Sequence, residues 1–574
     1  MPKDKPQVDR LVGDLVARRI DRRQFVQRAI ALGLSVPSVG ALLAACGGDD
    51  GEGGGTAGGG PTTAGTGTAG TGTARTGTTA KAEGDVPAKL TVRIPNDIAN
   101  LDPAFYPASA DEYVFTNIGE GLVSYKPGTF EVVNRLAETF EPSADGLSYA
   151  FTLKPGIKWQ KDYGEVSAED VKFSYERIAG MTQPKIDSPY TGDWAPHLKE
   201  VVVKDKLSGT IVLKQPFAPL MRSTLPTAVS GIVLPKKAVE ERGEKFATDP
   251  VGSGPYEFVQ WTPKKQVTLK RFADYSGAFD EYLGSAFPEI HFLPITDDGA
   301  ADIALETGEI DFGLISLPGI GRFEDNDEFV VTTAPTLDYN WIGMNQEHPK
   351  LKDIRVRQAI RLAVDVPAIL EAAFEGRFAR ANAIIPESMG LGYWADAPQY
   401  DRDVEAAQAL LQEAGVSNLA LSLLYTEETG SKTVVQVVQE NLAEVGITLS
   451  LDLVDSATFY ELGEQLRERE LFYVGFVTQP DPSWSFVWFT CSQIDVWNWQ
   501  YWCDEEFDRL HFAALEESDE AKRDEMYIEM QELWDAQSNV IWTHTPTNFY
   551  CNRVGIEPSI SPHGRFLPSA FRAV

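Results

Sequence analysis

Leu419-Ala420-Leu421-Ser422-Leu423-Leu424-Tyr425 is followed by a helical stretch over 432–445, a stop at Gly446, and Ile447-Thr448-Leu449-Ser450-Leu451-Asp452-Leu453, whose apolar residues alternate strictly. Strand, helix and strand at this spacing predict a β-α-β unit with a parallel sheet. A further apolar run, 471–477, leads straight into Gln479-Pro480-Asp481-Pro482-Ser483-Trp484. In open α/β sheets ligands gather beyond the carboxyl ends of strands, so Asp481 is expected where a ligand would sit.

Upstream, alternation over 147–154 predicts a half-buried strand. Ser167-Ala168-Glu169-Asp170 offers a capping box before Val171, Tyr175 and Ile178 at helical spacing. Residues 351–376 read as two helices, the second opening at Asp365 with Pro367 in its first turn and stopping at Gly376.

The N-terminal 86 residues have a different character. Arg22-Arg23-Gln24-Phe25-Val26 precedes an apolar run over 29–45 that ends in Leu43-Ala44-Ala45-Cys46. This order reads as a Tat-type signal peptide, 1–45, with a lipobox whose Cys46 is the lipid-attachment residue. The run contains Gly33, Pro37 and Gly40 and has 17 residues, short of the roughly 20 a membrane span needs. Residues 46–86 are Gly, Thr and Ala with almost no larger apolar side chain, a flexible tether with a root-mean-square reach on the order of 35 Å. The expected location is outside the cytoplasm, lipid-anchored to the membrane.

The formal charge of the chain is −33; residues 1–45 carry eight basic and four acidic side chains, so without them it becomes −37. Such a surface repels phosphate backbones and argues against nucleic-acid partners. It favours cationic or zwitterionic ligands, although acidity also serves solubility alone. Roughly 490 residues remain beyond the tether, enough for two or three lobes. No Walker-type loop is present, Gly252-Ser253-Gly254 lacks the spacing of a nucleophile elbow, and the six histidines show no metal-ligand pairing. No enzyme, metal or cofactor is therefore expected. Cys491 and Cys503 flank a Trp-rich loop and are expected to pair, leaving Cys551 a buried thiol; three buried free cysteines is the alternative. Closing a loop of this size is worth about 3 kcal/mol in the chain-entropy model.

Several signatures occur in order: Asn100-Leu101-Asp102-Pro103, Leu136-Ala137-Glu138, Asp145-Gly146-Leu147-Ser148-Tyr149, the capping box, Val251-Gly252-Ser253-Gly254-Pro255-Tyr256, and Leu351-Lys352-Asp353-Ile354-Arg355-Val356-Arg357-Gln358-Ala359-Ile360. Together they resemble the extracytoplasmic solute-binding proteins of family 5, the peptide, oligopeptide and nickel receptors of ABC importers. The resemblance implies an α/β fold, a two-lobed class II periplasmic-binding-protein clamshell with an extra subdomain in lobe one. Lobe I would span 87–334 and lobe II 335–541, with 542–574 returning to lobe I and hinge crossings near 334–341 and 541–547. It implies a monomeric receptor that captures a peptide or other amine-bearing solute and delivers it to an ABC permease. The rival is a solute-sensing or interaction lipoprotein using the same clamshell without transport.

In peptide-binding relatives an aspartate in an Asp-Pro turn pairs with the ligand ammonium, and Asp481-Pro482 matches it. Trp484, Trp488 and Trp497 would cover the ligand, with Tyr125 and Glu427 completing the candidate set; cation–π contact and charge-assisted hydrogen bonding would supply the attraction. The Cys491–Cys503 pair also resembles the disulfide of dipeptide-binding members. Two departures stand out. Gln160-Lys161-Asp162-Tyr163-Gly164 replaces the family's His-Asp-Gly turn and is expected only to reshape a surface loop. Thr426-Glu427-Glu428-Thr429 stands where dipeptide receptors carry an arginine for the ligand carboxylate, which shifts the expectation towards a cationic amine, polyamine or opine-like solute.

Overall fold

In the computed structural model, the described residues are 88–106, 109–227, 230–275, 287–456, 458–459 and 466–574. The signal segment, Cys46 and the tether lie outside them.

Strands Leu419–Thr426 and Ile447–Val454 pair in parallel, Leu421 opposite Leu449, and helix Ser431–Glu444 connects them. Val434, Val435, Val438 and Leu442 recur on one helical face and are fully buried against the sheet. Gly446, at φ 83°, follows the end of the helix, as expected. Strand Leu471–Phe476 adds in parallel on the other side of Leu419–Thr426. The parallel character stops there, because Tyr339–Met344, Val540–Thr545 and Ala379–Arg380 join antiparallel. The sheet is therefore mixed, since the strand Tyr339–Met344 arrives from the other lobe and Val540–Thr545 returns to it. Asp353 and Asp365 cap helices Ile354–Ala363 and Val366–Phe374. The stop after the second uses two left-handed residues, Glu375 at φ 54° and Gly376 at φ 67°, where Gly376 alone was expected.

The other lobe is built on a seven-stranded sheet in the order Tyr256–Thr262, Gln266–Arg271, Glu289–Pro294, Lys89–Ile94, Phe312–Leu314, Thr547–Arg553, Phe329–Pro335. Among the described residues the chain passes between the sheets twice: from Phe329–Pro335 to Tyr339–Met344, and from Val540–Thr545 to Thr547–Arg553 across the single residue Pro546. The crossings touch, for the Pro546 carbonyl accepts from Thr336 N at 3.0 Å and from Thr336 Oγ1 at 2.9 Å. An antiparallel sheet of Ala137–Pro142, Ser148–Leu153, Ser208–Leu213 and Leu198–Val203 forms a further layer with helix Ala168–Ile178. At the start of that helix Ser167 N and Oγ both donate to the Asp170 carboxylate, at 2.9 and 2.7 Å.

The segment 160–164 does more than reshape a surface loop. Lys161 and Asp162 adopt left-handed backbone, φ 55° and 60°, and this turn buries Gln160 completely. Its Nε2 donates to the carbonyls of Tyr256 at 2.8 Å, Gly254 at 3.0 Å and Ile118 at 3.3 Å, and its Oε1 accepts from Gly252 N at 3.1 Å. Gly252 is glycine for a reason visible here: a Cβ there would lie 2.0 Å from the Ile118 carbonyl oxygen. Gln160 thus pins the Gly-Ser-Gly-Pro-Tyr segment to residue 118. Gln160→Leu should lower the unfolding free energy in urea by about 3 kcal/mol, because several buried backbone groups lose their partner at once. A loss below about 1 kcal/mol would show that water replaces the amide.

Candidate functional site

Between the lobes lies a cleft enclosing about 1320 Å³ of empty space, part of it open to solvent. The strand Leu471–Phe476 reaches it through Thr478 and Gln479, which line it from the six-stranded lobe. Tyr113, Glu120, Tyr125 and Arg135 line it from the other lobe, and the return segment after Arg553 adds His563 and Arg565. Of the candidate residues, Tyr125 lines this cavity; Asp481, Trp484, Trp488, Trp497 and Glu427 do not.

Asp481 instead turns into the core. It is wholly buried, and Arg523 Nη2 donates to both of its carboxylate oxygens at 2.9 Å. Ser483 N donates to Oδ1 at 3.0 Å, while Arg523 Nε donates to the Ala514 carbonyl at 2.9 Å. Side-chain exposure is 2 % for Arg523 and 0 % for Asp481, so the two charges meet each other rather than solvent or the cavity. Trp484, Trp488 and Trp497 form a half-buried row, edge to face, with ring centroids 6.4 and 5.6 Å apart. Trp497 packs on Phe476, and Cys491 is disulfide-bonded to Cys503 across the same loop. Glu427 is exposed in the loop after Leu419–Thr426. Cys551 is a buried free thiol whose pKa burial pushes up to about 12.

Tyr125 apart, the polar residues of the cavity carry no mark in the sequence, although Thr478 and Gln479 stand at the strand end where a ligand is expected. Glu120 is 4 % exposed; its Oε1 accepts from Arg135 Nε at 2.6 Å and from Tyr275 Oη at 2.8 Å. Burial holds the Tyr125 phenol well above its ordinary pKa, and the hydroxyl donates to the Arg222 carbonyl. Arg222 in turn crosses the cleft: Nε donates to the Pro480 carbonyl and Nη2 to the Met389 carbonyl, both at 2.9 Å, and Nη1 pairs with Glu520 at 3.1 Å. Burial opposes the Arg565 charge, yet Tyr113 and Glu112 raise its pKa above the arginine range. Among the described residues no group of three side chains could hold a metal ion, and no helix is long and apolar enough to cross a membrane.

Two outcomes follow from these environments. Asp481→Ala leaves Arg523 buried without its counter-ion and should cost about 3–5 kcal/mol in urea denaturation; adding Arg523→Met should recover much of that loss. His563, stacked on Phe130, is pushed down to about 3, by burial first and by Arg565 second. An unfolded histidine titrates near about 6.5. Between these values only the unfolded chain takes up the proton, so this ring makes stability fall as pH falls. The drop in unfolding free energy from pH 7 to pH 5 should therefore be smaller by about 2 kcal/mol in His563→Gln. An equal drop would mean that the native imidazole titrates normally.

The sequence model of the bacterial extracellular solute-binding proteins, family 5 (middle region), matches residues 131–496. The chain is 29% identical over 452 residues to the dipeptide-binding protein of Escherichia coli K12, covering 73% of this chain and 81% of that one. It is 26% identical over 477 residues to the glutathione-binding protein GsiB of Shigella flexneri serotype 5b, covering 80% and 87%. Among solved structures, HbpA2 from Haemophilus parasuis superposes with a TM-score of 0.76 at 24% identity, over 85% of this chain and all of that one. With the family pattern running through both lobes and the same two-lobed fold recurring in its relatives, the chain belongs to the bacterial extracellular solute-binding proteins of family 5.

Proposed function

We propose that the chain is the receptor of an ABC importer, which captures a peptide or other amine-bearing solute outside the membrane in the cavity between its lobes and hands it to the permease. The observation that carries this reading is the cavity itself, lined from both lobes, with its lining residue Thr478 hydrogen-bonded to Asp338 in one of the crossings. Lobe I is taken as 87–334 with the return 542–574, and lobe II as 335–541. A body joined through two short, adjacent connectors bends about their common line, so solute enters when the lobes part and is enclosed when they meet. Arg222 then acts as a latch, since its donors reach backbone carbonyls of the opposite lobe. No bond of the solute is made or broken.

Asp481 keeps a role that differs from direct capture. A solute ammonium would have to displace Arg523 from a fully buried pair, at a free-energy cost of several kcal/mol. The pair is better read as the post that fixes the turn carrying Thr478 and Gln479. The chain is held to the membrane by a lipid on Cys46 and displaced from it by the tether, so that the permease and the lobes can meet.

The dipeptides and glutathione bound by the relatives are the first probes. A solute at 100 times its dissociation constant should add about 2.7 kcal/mol to the native state, seen as a thermal shift. Thr227→Trp, which places an indole in the cavity, should abolish that shift. Stabilisation that survives the substitution would move the solute elsewhere, and recovery of a cleaved or altered probe would replace a receptor with an enzyme.

A further inference from the structure

Arg565 brings to the cavity a charge that, among the described residues, forms no ion pair. Its backbone is fixed by a tight turn: Ser561 N donates to the Arg565 carbonyl at 2.7 Å, Arg565 N donates to Ser561 Oγ at 3.2 Å, and Gly564 supplies the left-handed corner at φ 72°. The guanidinium lies over Tyr113, with Cζ 5.7 Å from the ring centre, and Nη1 donates to the Tyr113 hydroxyl at 3.3 Å. Tyr113 is itself stacked on Phe566 at 4.0 Å. The stem is thus braced while the donor fork keeps that single hydrogen bond, and among the described residues no carboxylate lies within 4 Å of it.

The other arginines at the cleft are committed. Arg135 pairs with Glu120, and Arg222 pairs with Glu520 and two carbonyls. Glu112 and Asp338 act on this half-buried guanidinium without pairing to it, and an anion with two oxygens in one plane would engage its fork through paired hydrogen bonds. Glu120 presents the opposite deficit in the same cavity. Its Oε2 is buried and accepts no hydrogen bond, although Oε1 accepts two. A buried acceptor of this kind calls for an N–H or O–H from a ligand.

We infer that the cavity takes a dipolar solute, an amino-acid or peptide derivative whose free carboxylate is held by the Arg565 guanidinium and whose amino or amide N–H reaches Glu120 Oε2. The inference rests on the cavity being the solute site. It changes the expectation drawn from the loop 426–429: the carboxylate partner missing there is supplied from the C-terminal return. A polyamine, which has no anionic group, would meet Arg565 with like charge.

The experiment is calorimetric titration of the purified full-length protein with alanyl-leucine and with glutathione, with the carboxamides made at their C-terminal ends, and with spermidine. Wild type should bind at least one acid, and its carboxamide on the order of 100-fold more weakly, the scale of losing a charge-assisted pair in an enclosed site. Arg565→Met should lower affinity for the acid by a similar factor and leave the carboxamide unchanged. Arg565→Lys, which keeps the charge but not the fork, should fall between. Equal binding of acid and carboxamide by wild type, acid binding within threefold of wild type in both variants, or tight spermidine binding would each overturn the inference. In those cases a shift still lost in Thr227→Trp leaves the cavity as the solute site; a shift retained there removes both readings.

Discussion

The carbonyl of Pro546 accepts two hydrogen bonds from Thr336, and through them the two crossings between the sheets become one line. Everything that faces the cavity is referred to that line. Phe329–Pro335 and Thr547–Arg553 pair along their whole length in one sheet, while Tyr339–Met344 and Val540–Thr545 pair in the next. A strand pair that continues from one sheet into another cannot twist the lobes independently of the pairing. It permits bending at the short unpaired stretch and resists other motions. Asp338 lies inside that stretch, and its carboxylate accepts from Thr478 N at 3.1 Å, so the connector is also joined to the cavity wall. Burial raises the pKa of this acid, and the nearby Arg565 works against the rise.

The cavity wall and the contact between the lobes are joined by a short chain of hydrogen bonds. Tyr125 faces the cavity, its hydroxyl donates to the Arg222 carbonyl, and the Arg222 side chain reaches Pro480 and Met389 across the cleft. Pro480 directly precedes Asp481, whose pairing with Arg523 anchors the turn in the core of lobe II. A latch needs one stiff surface to grip, and a backbone carbonyl next to a fully buried ion pair provides it. The ion pair fixes the position of this turn, whereas its net contribution to stability is small because desolvation of the two charges offsets their attraction.

Much of the fold was legible because periodicity reports burial. The β-α-β unit, the capping box at Ser167 and the two helices after Leu351 stand where the alternation and the caps put them. The antiparallel half of the second sheet was not legible, since its strands come from distant segments and the pairing depends on how the lobes connect. The carboxyl end of Leu471–Phe476 leads to the cavity, which Thr478 and Gln479 line while Asp481 does not. Turn propensity marks an Asp-Pro step equally well whether its carboxylate points to a ligand or to an arginine forty-two residues on. Arg565 and Glu120 sit in irregular segments without a period, and only their spatial meeting marks them.

The net charge of −33 describes the outer surface and says little about the cavity. At about 8 Å of screening in physiological salt, most of those carboxylates are invisible to a group inside the cleft. Among the groups that line the cavity are a guanidinium with no ion pair among the described residues, a carboxylate with one oxygen unmatched, tyrosine hydroxyls and a neutral imidazole. His563 adds no charge beside Arg565, because burial keeps its ring unprotonated. Tyr113, Glu112 and Asp338 nearby favour the charged form of Arg565, so its guanidinium stays protonated. Long-range repulsion slows the approach of an anion without opposing its final contact, and a solute of no net charge escapes that repulsion altogether.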